Sequence, residues 1–350
     1  MTRIAKLWNS IYLLPIVFVS NLWTVNCAQA QTAKNFYEGK TVTLIAGSSA
    51  GGGTDLTARL IARHFEKYIP GNPRIIVQNM PGAAGMIAVN HLYNLAKPDG
   101  LTMSTMNAGS IFGVATGNPA LKFELEKFIW VGQALDEPQV LYIKSATPYA
   151  SFEAISKANK EGKRPKMGAQ GRDHNSNVVV KVVEQIFNLD FHVIVGYPGT
   201  PQILLDIERG ALDGRSQTTG SLLATRREWV NGGYVKLLAT SKRIRDPRLP
   251  NVPTIEELAP PGNAALVSGL YAAQNLSRSI VLPPGVPADR VKILRDAFVV
   301  MVKDHDFSKE AEKLGLEIAL TSGEDMNRDV EKTIRDKKLM DLYRRIIKDD

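Results

Sequence analysis

The chain has 350 residues, 44% of them hydrophobic and 22% charged, the balance of an ordinary globular protein with room for two domains. Disorder does not fit that composition, and a repeat array is excluded because no fixed-period self-similarity is found. The formal charge of +8 is not concentrated: lysines and arginines are spread along the chain or mixed with acids, as in "DKKLMDLYRRIIKDD", so nucleic acid, which needs a clustered basic face, is not an expected partner.

In chain order, the first element is a targeting signal. Arg3 and Lys6 precede an apolar run from Ile11 to Val19, and "AQAQ" follows with Ala28 and Ala30 in the small-x-small cleavage pattern. The run is interrupted by Ser10, Pro15, Ser20, Asn21 and Asn26, too often for a membrane anchor of about twenty apolar residues. Residues 1–30 are therefore expected to be a signal peptide cleaved after about Ala30. The only cysteine, Cys27, lies inside it, so the exported chain is expected to have no disulfide, thiolate metal site or cysteine nucleophile. Losing Arg3 and Lys6 lowers the formal charge to +6, a mildly basic exported protein suited to anionic small molecules or membrane surfaces.

The next stretches repeat one theme. "KTVTLIAG" reads as a strand, a glycine loop follows, and "TDLTARLIARHFEKYI" places Leu56, Leu60, Ile61, Phe65 and Ile69 at helical spacing. After "PGNP", "RIIVQN" is a strand, "MPGAAG" a loop, and "MIAVNHLYNLA" a helix closed by "KPDG"; "LTMSTMN" is another strand. Strands alternating with helices across short loops predict a parallel sheet with right-handed crossovers. A second set begins after "FIWVGQALDEP": strand "QVLYIK", helix "SFEAISKANKEG", strand "RPKMGA", loop "QGRDHNS", helix "NVVVKVVEQIFN" and strand "FHVIVGY". It continues through "PGTPQILLDIERG", with Thr200 as N-cap and Pro201 in the first turn, then "ALDGRSQTTGS", helix "LLATRREWVNGG" and strand "YVKLLATS". Beyond a proline-rich stretch come a short strand "GLYAAQ", the turn "LPPGVP" and a long helical tail. The expectation is an α/β protein of two lobes, each a mostly parallel sheet flanked by helices. Lobe 1 takes residues 31–134 and 266–350, with the tail packed on it, and lobe 2 takes residues 135–265.

Gly47-Ser48-Ser49-Ala50-Gly51 matches the G-x-S-x-G pattern of a hydrolase elbow, which would make Ser49 a nucleophile. Such a serine needs a later histidine and acid and an oxyanion loop before it. Little of the exported chain precedes Ser49, and no "HGG"-like loop exists. Of the histidines, His64 and His91 fall in helices and His192 in a strand; His174 alone falls in a candidate site loop. No metal-ligand spacing occurs, and the three consecutive glycines do not make the G-x-G-x-x-G of a dinucleotide site, so no cofactor is expected. The competing reading is an anion site. Ligands of open parallel sheets bind beyond the carboxyl ends of the strands. There the glycine loops at Gly51 and Gly82 would offer free backbone N–H groups and positive helix ends. The loops around Gly171 and Gly199 would repeat the arrangement across a cleft.

Taken together, "AGSSAGGGTDLTARLIARHF", "IIVQNMPGAAGMIAVNHLYNLAKPDG", "VGYPGTPQILLDIERGALDG" and "LPNVPTIEEL" resemble, in order and over nearly the whole exported chain, the substrate-binding proteins of tripartite tricarboxylate transporters, the Bug family. The resemblance implies a two-lobed Venus flytrap receptor in the periplasm, a monomer without catalysis or cofactor, which delivers a small carboxylate to a membrane permease. It implies a first jaw of Ser49, Gly52, Gly53, Thr54 and Asp55, and a second of Pro81, Gly82, Ala83, Ala84 and Gly85. From lobe 2 it implies His174, Asn175 and Ser176, and the turn Tyr197-Pro198-Gly199. Asp55 is expected to orient its loop, since its charge would repel an anion. Arg215, in "DGRSQ", is either a partner for a second ligand carboxylate or a surface arginine. This chain departs from the family pattern at Ala50, where many members have proline, and in the charged loop "GRDHNS". Two other readings stand beside the receptor: a secreted serine hydrolase acting through Ser49, and a receptor domain serving signalling rather than transport.

Overall fold

The computed structural model describes residues 36–348 apart from residues 108, 137 and 275. The expected export signal, with Cys27, lies outside the described residues. The first half of the chain forms β1 (Thr41–Ala46), α1 (Gly53–Phe65), β2 (Arg74–Asn79), a 3-10 turn (Ala83–Gly85), α2 (Met86–Asn94), β3 (Thr102–Thr105), α3 (Gly109–Thr116) and β4 (Ile129–Asp136). The second set comprises β5 (Gln139–Lys144), α4 (Phe152–Lys160), β6 (Lys166–Gly168), α5 (Asn175–Phe187), β7 (His192–Ile194), α6 (Thr200–Glu208), β8 (Gly214–Thr218), α7 (Thr219–Asn231) and β9 (Val235–Thr240). The chain ends with α8 (Ile255–Leu258), α9 (Ala264–Gln274), β10 (Ile280–Leu282), α10 (Ala288–Val302), α11 (His305–Lys313), β11 (Glu317–Ser322), α12 (Gly323–Arg335) and α13 (Lys337–Lys348).

The strands make two sheets, β11-β4-β10-β3-β1-β2 and β7-β6-β8-β5-β9. The apolar residues that set the periodicity do the packing: Leu44, Leu60, Ile61 and Phe65 are buried in one core with Phe298 and Met301 of α10. Each such large apolar side chain contributes about 1.5–3 kcal/mol relative to exposure.

Both sheets are mixed rather than mostly parallel. β1 pairs in parallel with β2 and β3, but β10 runs antiparallel to β3 and β4, and β11 antiparallel to β4. In the second sheet β6 is parallel to β7 and β8, whereas β5 runs antiparallel to β8 and β9. The strands that run against their sheets are β5 and β10, each the first strand after a passage between sheets, and β11, which follows β10 through α10 and α11. The first passage runs from Asp136 to Gln139, and the return lies between Thr240 and Ile280. A strand that arrives from another lobe enters from the opposite end, with no crossover helix to make it parallel.

Three further differences have local causes. "GLYAAQ" lies inside α9, not in a strand. Short apolar runs fit either state, and this one is held helical by packing against α5 and α13. Gly269 lets α13 approach, since a Cβ there would lie 3.1 Å from Leu342 Cδ2. Gly199, not Thr200, is the N-cap of α6. The tail contains β11, and its last helix does not pack on lobe 1 alone. Amphipathic α13 lies against α3, α5 and α9, with Tyr343, Ile346 and Ile347 in a core shared with Val178 and Val182 of lobe 2.

Tyr343 is fully buried, stacks edge-on to Phe112 at 4.7 Å and donates a hydrogen bond to the Gly269 carbonyl at 2.7 Å. Tyr343→Phe should keep the packing, remove this one hydrogen bond and cost about 1 kcal/mol. A thermal melt should read this as a fall of about 2 °C.

Candidate functional site

Between the sheets, helix N-termini from both lobes converge on one cavity of about 50 Å³. At roughly 10–15 Å³ per water-sized group, that is room for a few such groups. The walls explain the small volume, because the lobes are drawn together around it. Ser49 N–H donates to the Pro198 carbonyl at 3.3 Å, Ser49 Oγ to Gln202 Oε1 at 3.2 Å, and Asn175 Nδ2 to Ser277 Oγ at 2.8 Å. Arg278 donates to Thr57 of α1 at 3.2 Å and to Thr218 at the end of β8 at 3.0 Å, so its guanidinium spans both lobes.

The first glycine loop follows β1, whose Val42, Leu44, Ile45 and Ala46 are buried and fix it in the sheet. Gly47, Ser48, Gly52, Gly53 and Thr54 line the cavity, with Gly52 as the N-cap of α1 and no side-chain cap to occupy the first N–H groups. Such a helix start offers unpaired donors and a partial positive charge. Asp55 points away from the cavity. Its carboxylate accepts hydrogen bonds from Gly51 N–H at 2.9 Å, Asn79 Nδ2 at 2.8 Å and Arg59 Nε at 3.0 Å. Burial raises its pKa, but the bonds from Arg59, Gly51 and Asn79 outweigh this and hold it below the ordinary value.

In the second loop four successive residues, Gly82 to Gly85, have positive φ, including Ala83 at 45° and Ala84 at 56°. Alanine is rare there and each case costs of order 1–3 kcal/mol. The turn brings Gly85 against the first loop: a Cβ on Gly47 would lie 3.1 Å from Gly85 Cα, and one on Gly85 would lie 3.0 Å from the Gly47 carbonyl. Gly85 lines the cavity, whereas Gly82, Ala83 and Ala84 do not. Ala84 instead meets Gly171 of lobe 2 at the rim.

From lobe 2, His174, Asn175, Ser176 and Arg215 line the cavity. His174 is the N-cap of α5: its Nδ1 accepts from Ser176 N–H at 3.1 Å and lies 2.9 Å from Ser176 Oγ. These partners leave the ring proton on Nε2. Burial first, then the charges of Arg215 and Arg278, push the His174 pKa down to about 3, so the imidazole is a neutral donor at physiological pH. Arg215 is not a surface arginine. It is 1% exposed, its Nε donates to the Ser216 carbonyl at 3.0 Å, and its Nη1 has no hydrogen-bond partner. Burial lowers its pKa to about 10, still far above neutral.

Like Asp55, Gly82, Ala83 and Ala84, three more expected residues sit beside the cavity rather than on it. Ser49 seals the rim, Gly199 backs against Ser49, and Tyr197 donates to Asp206 Oδ2 at 2.7 Å within lobe 2. Sequence reasoning missed several lining residues: Thr105, Met106 and Asn107 after β3, Gln139 at the start of β5, and Gln170, Thr200, Gln217, Thr218, Ser221, Ser277 and Arg278. Thr105 to Asn107 and Gln217 to Ser221 end strands, where ligands of such sheets bind, so strand ends were a usable signal. Arg278 and Ser277 were not legible, because only the returning chain brings them back. No carboxylate is among the described lining residues, which include two arginines. No group of three or more metal-ligating side chains occurs among the described residues.

The profile of the tripartite tricarboxylate transporter receptor family matches residues 57–345. Among curated relatives, the UPF0065 protein of the TAR-I ttuE-ttuC' intergenic region of Agrobacterium vitis is 26% identical over 233 residues, 66% of this chain and 64% of that protein, so the match spans under two thirds of the relative's length. Among solved structures, the periplasmic binding protein BugD superposes with a TM-score of 0.74 at 21% identity, over 89% of this chain and 98% of that one. MatC from Rhodopseudomonas palustris, solved with bound malate, gives 0.71 at 21% identity, over 89% and 99%. These likenesses fix the fold as the two-lobed architecture of periplasmic binding proteins. With the family profile matching most of its length, the chain belongs to the tripartite tricarboxylate transporter receptor family.

Proposed function

We propose that this protein is a periplasmic receptor that captures a small carboxylate between its lobes and delivers it to a tripartite tricarboxylate-type permease. The observation that carries the reading is a cavity with several helix N-termini, two arginines and no described carboxylate in its walls. Backbone N–H groups at Gly53 and Thr54 hold the carboxylate, with the Arg278 guanidinium beside them. The malate bound by R. palustris MatC is the kind of ligand such walls suit. A ligand larger than the closed cavity enters only when the rim contacts of Ser49 part, and closure then strengthens each hydrogen bond by excluding water. No helix among the described residues is long and apolar enough to cross a membrane.

A thermal-shift screen of residues 31–350 against mono-, di- and tricarboxylates tests the reading. A ligand at a hundred times its Kd should add about 2.7 kcal/mol. No shift with any acid, in protein shown to be free of carried-over ligand, would overturn it. Ser49→Ala separates receptor from hydrolase. Ser49 Oγ is bonded to Gln202, not to a histidine, so the variant should change affinity by less than about threefold, the scale of surface substitutions. A nucleophile's loss would instead cost several orders of magnitude in ester turnover.

A further inference from the structure

The cavity's polar groups include two sets of different chemistry. At the start of α1 the donors are the main-chain N–H groups of Gly52, Gly53 and Thr54, whereas the Gly85 N–H is already given to the Gly82 carbonyl at 2.9 Å and the Arg278 guanidinium bridges α1 to Thr218. On the lobe 2 side the donors are side chains. Arg215 and Gln217 stand two apart on β8, so they project to the same face of the strand, and the His174 imidazole at the start of α5 faces the same space. Arg215 Nη1 and Gln217 Nε2 are both buried without a hydrogen-bond partner. No carboxylate among the described residues pairs with Arg215, and the charge of Arg278, which lines the same cavity, is of the same sign. Leaving a buried guanidinium donor unpaired costs more than leaving a neutral one, and native proteins rarely tolerate it without a ligand to complete the set.

Resting on the receptor reading above, we infer that Arg215 is a specificity-determining residue that binds a second anionic group, so that the preferred ligand is a dicarboxylate spanning the two lobes. One carboxylate docks on the helix ends of lobe 1. The other lies against the Arg215 guanidinium, with Gln217 Nε2 and His174 Nε2 as neutral donors beside it. A monocarboxylate satisfies one lobe and leaves Arg215 buried and unpaired on closure. A dicarboxylate supplies the missing counter-charge, so closure becomes favourable only with both anionic ends in place.

The test is calorimetry on the full exported chain with dicarboxylates from malonate to adipate, including malate, each against its own monoamide, which keeps length and loses one charge. At least one dicarboxylate should bind about 100-fold more tightly than its monoamide. In Arg215→Gln that ratio should fall to near one, chiefly through loss of dicarboxylate affinity, and Arg215→Lys should restore part of it. A merely structural arginine would lower both affinities and leave the ratio unchanged, which would overturn the inference. The wild-type comparison needs no variant to fold: equal affinity for diacid and monoamide, or binding of monocarboxylates alone, would overturn the inference while the receptor reading stands. Absence of binding by every acid would remove both.

Discussion

Gly53→Val should abolish carboxylate binding while the protein still folds. Gly53 opens α1 at the point where the lobes meet most closely. A Cβ there would lie 2.4 Å from Arg278 Nη2 and 2.6 Å from Ser221 Oγ, distances no real Cβ keeps. In the open form those neighbours belong to other elements and can withdraw, and Gly53 is the first helical residue of α1 with no positive φ to strain a side chain, so folding should survive. Closure would not. A branched side chain would hold the lobes apart, keep water around the α1 N–H groups and block the carboxylate's approach to them. The expected result is loss of at least about 100-fold in affinity, with the ligand-induced rise in melting temperature lost as well. At about 2.7 kcal/mol for a saturating ligand and about 2–4 °C per kcal/mol, that rise is several degrees in the wild type. Gly52→Val is a gentler control, since a Cβ there meets nothing nearer than the Ser49 carbonyl at 3.5 Å. Full wild-type affinity in Gly53→Val would mean that ligand does not bind at the start of α1.

Asp55→Ala should be the most destabilising change in the first loop. Its buried carboxylate ties Gly51 N–H, Asn79 and Arg59 together, so it fixes the loop that presents the α1 N–H groups. Removing it strands the Gly51 N–H and one Asn79 amide hydrogen, the other staying on the Ser48 carbonyl. The expected cost is about 2–3 kcal/mol, with little assigned to Arg59, whose side chain is 43% exposed and solvent-screened. In a melt this is a fall of about 5–10 °C. The pH dependence follows from the lowered pKa in the folded state. The contribution is fully present above the unfolded-state value near 3.9 and is lost as pH falls through the folded one. Wild type and Asp55→Ala should therefore differ fully at neutral pH and converge in acid below about pH 4. A constant difference down to strongly acidic pH would show that the ionised carboxylate is not what holds the loop.

The sequence by itself determined the two-set α/β organisation, because apolar periodicity and turn residues are local properties. It also made the glycine loop before α1 and His174 to Ser176 before α5 legible as positions at strand-to-helix turns, and Asp55 as a loop-orienting residue from charge repulsion alone. Tertiary structure decided the rest. The sheets are mixed because β5 and β10 arrive from the other lobe, a fact of connectivity that no window of residues contains. "GLYAAQ" is helical because α5 and α13 pack on it, which overrides an ambiguous short apolar run. Arg215 could be read as buried or exposed until β8 was placed between β5 and β6. Arg278 and Ser277 carried no signal at all, since they reach the cavity only through the chain's return. Local patterning fixes what an element is, but the approach of two lobes fixes which side chains lose their water, and the charges that remain without partners there are what choose a ligand.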